Sequence, residues 1–283
     1  MPATRTTLPG PAGPLAVWEW AGGEPPALLL HGIGNYGRVW DFVASEIGGA
    51  LRLVAPDARG HGDSVAPETG YRPEDFVADA LAVMDATGLA WPVVVGHSMG
   101  GAHAMALAAM HPHRVRALVL VDVGPEIGHE GSDRAQRLSA GRPDRFADEA
   151  AALAYLRETS PGYSDAVYAN RMAHVFRRTP DGALEWRSRK DALLQILGGP
   201  ARSADAWRAL EALTMPVLVV RGTRSPSLSP ETYRRMLSVI PHVSGLELDA
   251  GHNVQLDRPA ELAEAIVRFA RDLGALEVLD RLR

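Results

Sequence analysis

The chain of 283 residues contains no cysteine. Disulfides, zinc-thiolate sites and iron-sulfur clusters are therefore excluded, because each of them needs cysteine sulfur. A thiolate nucleophile is excluded for the same reason. If the chain is an enzyme with a covalent intermediate, oxygen or nitrogen must supply the nucleophile.

An excess of positive charge is also missing. The 29 basic residues are outnumbered by 34 acidic ones, and the formal net charge is -5. Such a balance does not favour a surface that follows phosphate groups, so we do not expect a nucleic-acid partner. The expected partner is a small-molecule substrate.

Long apolar runs are absent as well. No stretch reaches the roughly 18 apolar residues that a membrane helix needs, and residues 1–20 contain no unbroken apolar segment typical of a secretory signal. We therefore expect no membrane association and a cytoplasmic location. The tail at 275–283 leaves two roles open, an extension of the last helix or pairing with a second subunit in a homo-oligomer.

Short apolar runs do recur along the chain. Continuous rather than alternating runs predict strands that are buried on both faces, as in a parallel sheet. The runs are Ala27–Leu30, Leu51–Pro56, Val93–Gly96, Ala117–Val123, Val217–Val220 and Gly245–Leu248. Helical patterns lie between them, starting at Pro73 and ending at Gly88, over Met99–Ala109, and over Pro259–Leu273. This alternation predicts an α/β fold with a mainly parallel central sheet and helices on both faces.

One segment interrupts the alternation. Residues 125–205 show several amphipathic helical patterns and no convincing strand, and the segment is too long for a loop. We expect a helical cap insertion at 125–205 on a core made of residues 1–124 and 206–283. Most of its aromatic residues should pack its own small core, and a few should face a cavity.

The sequence Gly-His-Ser-Met-Gly-Gly at 96–101 contains a G-x-S-x-G pattern. It follows a predicted strand and begins a predicted helix, which is the context that this pattern requires. Its glycines permit a tight turn that exposes the Ser98 hydroxyl, and the helix N-terminus directs amides at developing negative charge. The pattern predicts that Ser98 is a nucleophile.

With this pattern the chain resembles the α/β-hydrolase superfamily over nearly its whole length. Two further loops agree: His-Gly-Ile-Gly at 31–34 matches the HGxG loop of that family, and residues 57–64 match its D-x-R-G-x-G-x-S loop. The resemblance implies an oxyanion hole made by the backbone amides of Ile33 and Met99. It implies a structural role for the 57–64 loop, so His61 is not taken as catalytic.

The resemblance also indicates the histidine and the acid. His252 lies in a Gly-His loop before the last helix, where the family has its catalytic histidine. The loop after Val217–Val220 has no carboxylate where most relatives have one. Some family members place the acid after the preceding strand, which favours Asp122. Asp249, or a Ser-His dyad assisted by Ser225 or water, stays open as an alternative.

These residues imply a serine hydrolase of the cap-bearing branch that forms an acyl-enzyme and needs no metal or organic cofactor. A carboxylic ester or a lactone is the favoured substrate. Two other reactions on the same fold stay open, carbon-carbon bond hydrolysis and a non-hydrolytic cyclase-type reaction. Four insertion arginines, Arg177, Arg178, Arg187 and Arg189, could serve a dicarboxylate. A ligand-binding protein with a degenerate triad is the alternative of another class.

Overall fold

The computed structural model describes residues 2–126, 129–199 and 203–281. The strands within these ranges are β1 (Thr4–Gly10), β2 (Gly13–Trp20), β3 (Ala27–Leu30), β4 (Leu53–Pro56), β5 (Val93–His97), β6 (Ala117–Val121), β7 (Arg145–Phe146), β8 (Phe176–Arg178), β9 (Leu184–Trp186), β10 (Val217–Gly222) and β11 (Val243–Leu248). The helices are α1 (Asp41–Ile47), α2 (Pro73–Thr87), α3 (Met99–Met110), α4 (His129–Gly141), α5 (Glu149–Thr159), α6 (Asp165–Val175), α7 (Lys190–Leu197), α8 (Ser203–Glu211), α9 (Pro230–Val239), α10 (Val254–Asp257) and α11 (Pro259–Arg281). In those same ranges, no helix combines the length and the apolar character needed to cross a membrane.

Eight of the described strands form one sheet in the order β1-β2-β4-β3-β5-β6-β10-β11. The pairs from β4–β3 to β10–β11 are parallel, whereas β1, β2 and β4 pair antiparallel at one edge. β3, β4, β5 and β6 are buried along their whole length, as continuous apolar runs predict. All six predicted strands are present, with ends that shift by at most two residues. The predicted mainly parallel sheet is confirmed.

Helices cover both faces of this sheet, as predicted. Successive side chains of a strand point to opposite faces, so Val93 and Val95 pack in one apolar layer and Val94 in the other. The first layer contains α1 and α11, and the second contains α2, α3, α8 and α9. The two layers sandwich the sheet and leave its strand ends free to carry loops.

α2 keeps the bounds that the sequence predicts, whereas α11 is longer than predicted. α2 begins at Pro73 and stops before Gly88, whose φ of 72° is the left-handed conformation that ends a helix. α11 begins at Pro259 as predicted but continues past Leu273 to Arg281. The tail therefore extends the last helix as far as Arg281, which is one of the two roles that the sequence leaves open.

Neither β1 nor β2 is predicted from the sequence. β1 reads Thr-Arg-Thr-Thr-Leu-Pro-Gly and is largely exposed at the edge of the sheet. An edge strand of polar residues buries little apolar surface and therefore leaves no apolar run to detect. The hairpin adds the antiparallel edge to an otherwise parallel sheet.

The expectation that residues 125–205 contain no strand is wrong. Between α4 and α7 the segment forms a three-stranded antiparallel sheet, in the order β7-β9-β8. Strands of two or three residues are too short to show an alternating pattern in the sequence. Aromatic rings gather on this sheet, with the Phe176 and Trp186 centroids 4.5 Å apart and those of Phe146 and Tyr155 5.3 Å apart. These four aromatics pack the core of the insertion itself.

The boundary predicted between residues 205 and 206 falls inside α8. Trp207 and Leu210 of this helix are buried in the same apolar layer as α3. α8 therefore packs as part of the layer that covers the central sheet.

Candidate active site

Ser98 lies at the sharp turn between β5 and α3. Its backbone has φ 52° and ψ −119°, a conformation that costs an L-residue energy. A Cβ on Gly96 would lie 2.5 Å from the Gly100 carbonyl oxygen, and a Cβ on Gly100 would lie 2.3 Å from the Leu30 carbonyl oxygen. Glycine is therefore required at both positions for the turn to pack against β3. The Ser98 side chain does not cap α3, so its hydroxyl stays available for another partner.

That partner is His252, which lies in the loop between β11 and α10. His252 Nε2 is 3.0 Å from Ser98 Oγ, and His252 Nδ1 is 2.7 Å from Asp122 Oδ2. A carboxylate can only accept, so Nδ1 carries the proton and Nε2 accepts from the Ser98 hydroxyl. The structure thus joins the three residues in one hydrogen-bonded chain.

Asp122 follows β6 directly and has no exposed surface. Its φ of 50° is left-handed, which turns the chain sharply at the strand end. Oδ1 accepts a hydrogen bond from the Gly222 backbone N–H at 3.0 Å, and Oδ2 accepts from the Ser225 hydroxyl as well as from His252. Three donors from neighbouring segments therefore satisfy this buried carboxylate.

The loop after β10, which lacks the acid found there in most relatives, supplies donors to Asp122 instead. The Ser225 hydroxyl donates to Asp122 and accepts from the Ser227 N–H at 3.1 Å. Asp249 lies elsewhere, exposed and ion-paired with Arg224 at 2.8 Å. Among the described carboxylates, only that of Asp122 is in hydrogen-bond contact with His252. The geometry therefore favours Asp122 over the alternatives that the sequence leaves open.

The backbone amides expected to form an oxyanion hole are those of Ile33 and Met99. A Cβ on Gly32 would lie 3.2 Å from Ser98 Cβ, so the 31–34 loop packs directly against the turn that holds Ser98. Met99 is the first residue of α3, where backbone N–H groups have no acceptor inside the helix. Within the described ranges, neither amide donates to another group of the protein. Both N–H groups therefore lack an acceptor in this part of the chain.

Two buried histidines brace the 31–34 loop. His31 donates from Nδ1 to the Gly32 carbonyl at 2.8 Å and accepts the Ala58 N–H at Nε2 at 3.0 Å. His61 accepts the Gly34 N–H at Nε2 at 3.0 Å, which makes it a structural residue, as the resemblance implies. Burial lowers the pKa of His31 to about 4 and that of His61 to about 3. Both rings are therefore neutral at pH 7 and can accept these amides.

Arg59 and Asp57 hold the 57–64 loop in position. Its guanidinium forms a buried, two-point ion pair with Asp79, at 2.6 and 2.7 Å. The Asp57 carboxylate accepts the Gly37 N–H at 2.6 Å and the Asp63 N–H at 2.9 Å. These bonds tie the loop to α2 and to the segment that follows Ile33.

His97 acts on the histidine loop through the backbone. Its Nε2 donates to the His252 carbonyl oxygen at 2.8 Å, and the two ring centroids are 4.8 Å apart. Burial, followed by the nearby His252 charge, lowers the pKa of His97 well below its ordinary value. A neutral His97 thus holds the main chain that carries His252.

His103 stacks on Phe76 with the ring centroids 3.8 Å apart, which is a packing contact.

The insertion contacts the loops that carry these groups, and sequence reasoning did not single out the residues involved. The Tyr163 hydroxyl accepts from Asn253 Nδ2 at 3.1 Å, next to His252. The Tyr36 hydroxyl, three residues after Ile33, donates to Asn170 Oδ1 on α6 at 2.7 Å. A tyrosine just after the HGxG loop and an asparagine just after His252 are the sequence signals that could have pointed to these contacts.

A metal site in the same ranges would need several ligand side chains close together. In them, no group of three or more His, Cys, Asp or Glu side chains is placed to hold a metal ion.

Comparison with known proteins gives a consistent result. A family model described as alpha/beta hydrolase fold matches residues 25–259. The chain is 32% identical to a 3-hydroxybutyrate-oligomer hydrolase of Cupriavidus necator, over 89% of this chain and 91% of that protein. It is 31% identical to an esterase of Mycobacterium tuberculosis, over 92% of this chain and 87% of that protein.

A solved structure is similar over nearly the whole length. The crystal structure of an E-2-(acetamidomethylene)succinate hydrolase has a TM-score of 0.85 and 29% identity, and the match covers 95% of this chain and 99% of that chain.

The buried neutral histidines predict a loss of stability in acid. The folded-state pKa of His61 lies below the value of about 6.5 for an unfolded chain, so the unfolded state binds more protons between these values. The stability contribution is complete above pH 6.5 and is lost as the pH falls towards 3. From pH 6.5 to 4.5 this single group should lower the free energy of unfolding by about 2 to 3 kcal/mol.

Urea denaturation at both pH values checks this in wild type and His61→Gln, which keeps an acceptor for the Gly34 N–H but does not titrate. The variant should lose less stability than wild type on acidification. His113→Gln, at an exposed position, is the matched control and should behave as wild type. Equal acid sensitivity of wild type and His61→Gln would contradict a buried neutral His61.

Proposed function

The chain belongs to the alpha/beta hydrolase fold family, and on that premise we propose that it is a serine hydrolase that cleaves a carboxylic ester or lactone through an acyl-enzyme on Ser98. The observation that carries the proposal is the unbroken chain of hydrogen bonds from Ser98 Oγ through His252 to Asp122, with contacts of 3.0 and 2.7 Å. Relatives that include an esterase and an oligomer hydrolase support ester hydrolysis on this fold.

In the first half of the reaction, Ser98 Oγ attacks the ester carbonyl carbon and its proton passes to His252 Nε2. The carbonyl oxygen gains negative charge, which the N–H groups of Ile33 and Met99 bind. Each such donor is worth about 3 kcal/mol of barrier in a serine hydrolase. The tetrahedral intermediate then expels the alcohol, which takes the proton from His252, and leaves the acyl group on Ser98.

In the second half, His252 removes a proton from water, and the resulting hydroxide attacks the acyl carbonyl. Collapse of this second tetrahedral intermediate releases the carboxylic acid, and the proton on His252 returns to Ser98 Oγ. Asp122 keeps the proton on Nδ1 throughout and stabilises the imidazolium that forms in each half.

The insertion serves as the cap of this proposed site. Its residues bond to loops at the carboxyl ends of β3, β4 and β11: Asn170 to Tyr36, the Arg189 N–H to the Gly60 carbonyl at 3.0 Å, and Tyr163 to Asn253. Ligands of open α/β sheets bind outside the carboxyl ends of the strands. A cover at this edge would confine the substrate between the cap and Ser98.

A ligand-binding protein with a degenerate triad is less well supported. That alternative was motivated by the missing carboxylate after β10, and Asp122 offers a carboxylate at hydrogen-bond distance from His252. The Ile33 and Met99 amides, which have no acceptor among the described residues, also suit turnover better than simple binding.

Ser98→Ala should remove the nucleophile without disturbing the fold. We expect turnover of aryl esters to fall by about 10⁶, as for other triad knockouts, and labelling by a fluorophosphonate probe to disappear. Ser45→Ala changes an exposed serine on α1 and should keep both signals. Hydrolysis at the wild-type rate in Ser98→Ala would end the serine-hydrolase proposal.

Asp122→Asn should lower turnover by about 10⁴, as a carboxylate-to-amide change does in a serine protease. The asparagine would direct its Oδ1 to the Gly222 N–H and its amide hydrogens to His252 Nδ1. The imidazole proton would then move to Nε2, and Nε2 could no longer accept from Ser98.

Asp249→Asn is the matched control, because Asp249 was the other candidate carboxylate and is ion-paired with Arg224 on the surface. Turnover in Asp249→Asn should stay within a few-fold of wild type. A greater loss in Asp249→Asn than in Asp122→Asn, with melting temperatures measured for both, would identify Asp122 as the wrong acid.

A further inference from the structure

Arg171 on α6 has no acidic partner among the residues that the structure describes. Its Nε is shielded from solvent and has no hydrogen-bond partner, and its guanidinium forms no ion pair with any residue in the described ranges. Arg171 is half-buried, and a shielded N–H without an acceptor, as at Nε, costs free energy. A protein retains such a group where something other than its own side chains satisfies it.

The other insertion arginines that the sequence offered as anion-binding residues are already paired. Their partners are acidic side chains of the protein: Arg177 with Glu185, Arg178 with Glu149, Arg187 with Asp63 and Arg189 with Asp191. Each of these guanidinium groups already has a counter-charge. The suggestion that they serve a dicarboxylate is therefore not supported by their contacts.

The position of α6 places Arg171 between the two loops of the proposed active site. Tyr163, just before α6, bonds to Asn253 beside His252. Asn170, the residue before Arg171, bonds to Tyr36 and donates to Asp41 Oδ2 at 2.8 Å. The helix therefore reaches from the histidine loop to the segment that follows Ile33.

The positive charge of Arg171 affects tyrosine hydroxyls in both of these regions. Burial raises the pKa of Tyr36 and of Tyr163, and the positive charge of Arg171 opposes that rise at both hydroxyls. The acids near Tyr36 are held by other donors: Asp41 pairs with Arg38 at 2.6 Å, and Asp57 accepts two backbone amides. No described carboxylate lies within ion-pair distance of Arg171.

We propose that Arg171 binds a carboxylate carried by the ester substrate, so that the protein selects anionic esters over neutral ones of the same shape. This inference rests on the proposed function and adds the substrate class to it. A planar guanidinium can donate two parallel N–H bonds to a carboxylate, which fixes the orientation of the bound ester as well as its charge. With the carboxylate on Arg171, the ester carbonyl would extend towards Ser98 and the amides of Ile33 and Met99.

The test compares acids with their carboxamide isosteres. Ethyl hydrogen succinate and ethyl hydrogen adipate carry the carboxylate on the acyl side, and 3-acetoxybutanoate carries it on the alcohol side. For each we would measure kcat/KM of the acid and of its carboxamide at pH 7.5 in a pH-stat. Wild type should prefer the acid in at least one pair, and in Arg171→Gln this ratio should fall by about 10²-fold, the scale for truncating one side of a charge pair.

Two variants sharpen the comparison. Arg171→Lys keeps the charge but loses the two-point geometry, so it should retain part of the preference. Arg178→Gln removes an insertion arginine that is paired with Glu149 and should keep the full ratio. An acid-to-carboxamide ratio that is the same in wild type and Arg171→Gln for every pair would overturn the inference.

A binding measurement separates this inference from the proposed function. Calorimetric titration of Ser98→Ala protein with succinate and adipate needs no turnover, and adding Arg171→Gln should weaken binding by about 10²-fold. Binding that depends on Arg171 would support the carboxylate site even if no ester were hydrolysed, which would refute the proposed reaction alone. The converse outcome is ester hydrolysis in which neither the acid-to-carboxamide ratio nor the binding affinity depends on Arg171. That outcome would refute the carboxylate site alone.

Discussion

A carboxylate with no exposed surface lies at the end of β6, and three donors hold it there: the Gly222 N–H, the Ser225 hydroxyl and the His252 ring. Burying a carboxylate costs several kcal/mol unless donors compensate for the lost water. The sheet order β5-β6-β10-β11 supplies those donors, because Gly222 ends β10 and His252 follows β11. The same order puts Ser98 at the end of β5, on the other side of β6, so the ring that satisfies Asp122 also reaches Ser98. A parallel sheet whose strands end at one edge is thus what permits this hydrogen-bonded chain.

Arg59 and Arg171 differ in how their positive charge is satisfied. Arg59 meets Asp79 in a two-point ion pair that joins the 57–64 loop to α2, and this pair satisfies both charges internally. Arg171 lies among tyrosines, with a shielded Nε and no counter-charge in the described part of the chain. A buried charge without a partner is strongly unfavourable, and this cost explains why the buried Arg59 is paired with Asp79. A guanidinium with no counter-charge among the described residues has a physical purpose if, as proposed, the substrate brings the missing charge.

Much of the fold could be predicted from the sequence, because strands buried on both faces leave continuous apolar runs and because Gly-His-Ser-Met-Gly-Gly has the glycines that a tight strand-to-helix turn requires. The exposed strand β1 and the two- and three-residue strands of the insertion left no such trace. Asp122 could be suggested from the carboxylate missing after β10, but its donors could not, since Ser225 and Gly222 meet it only through strand pairing. Arg171 was not singled out at all. Whether an arginine has a partner depends on contacts between segments that are far apart in sequence, and no local pattern of residues records it.

We propose that the Asp122 carboxylate holds the proton of His252 on Nδ1. Proton and nitrogen NMR of protein labelled at histidine nitrogen measures this directly, with His252→Gln identifying the resonance. We expect a strongly downfield Nδ1–H signal in wild type and in Ser98→Ala, and its loss in Asp122→Asn, because the hydrogen bond to a buried carboxylate causes the shift. A His252 Nδ1–H signal that persists unchanged in Asp122→Asn would show that Asp122 does not hold this proton.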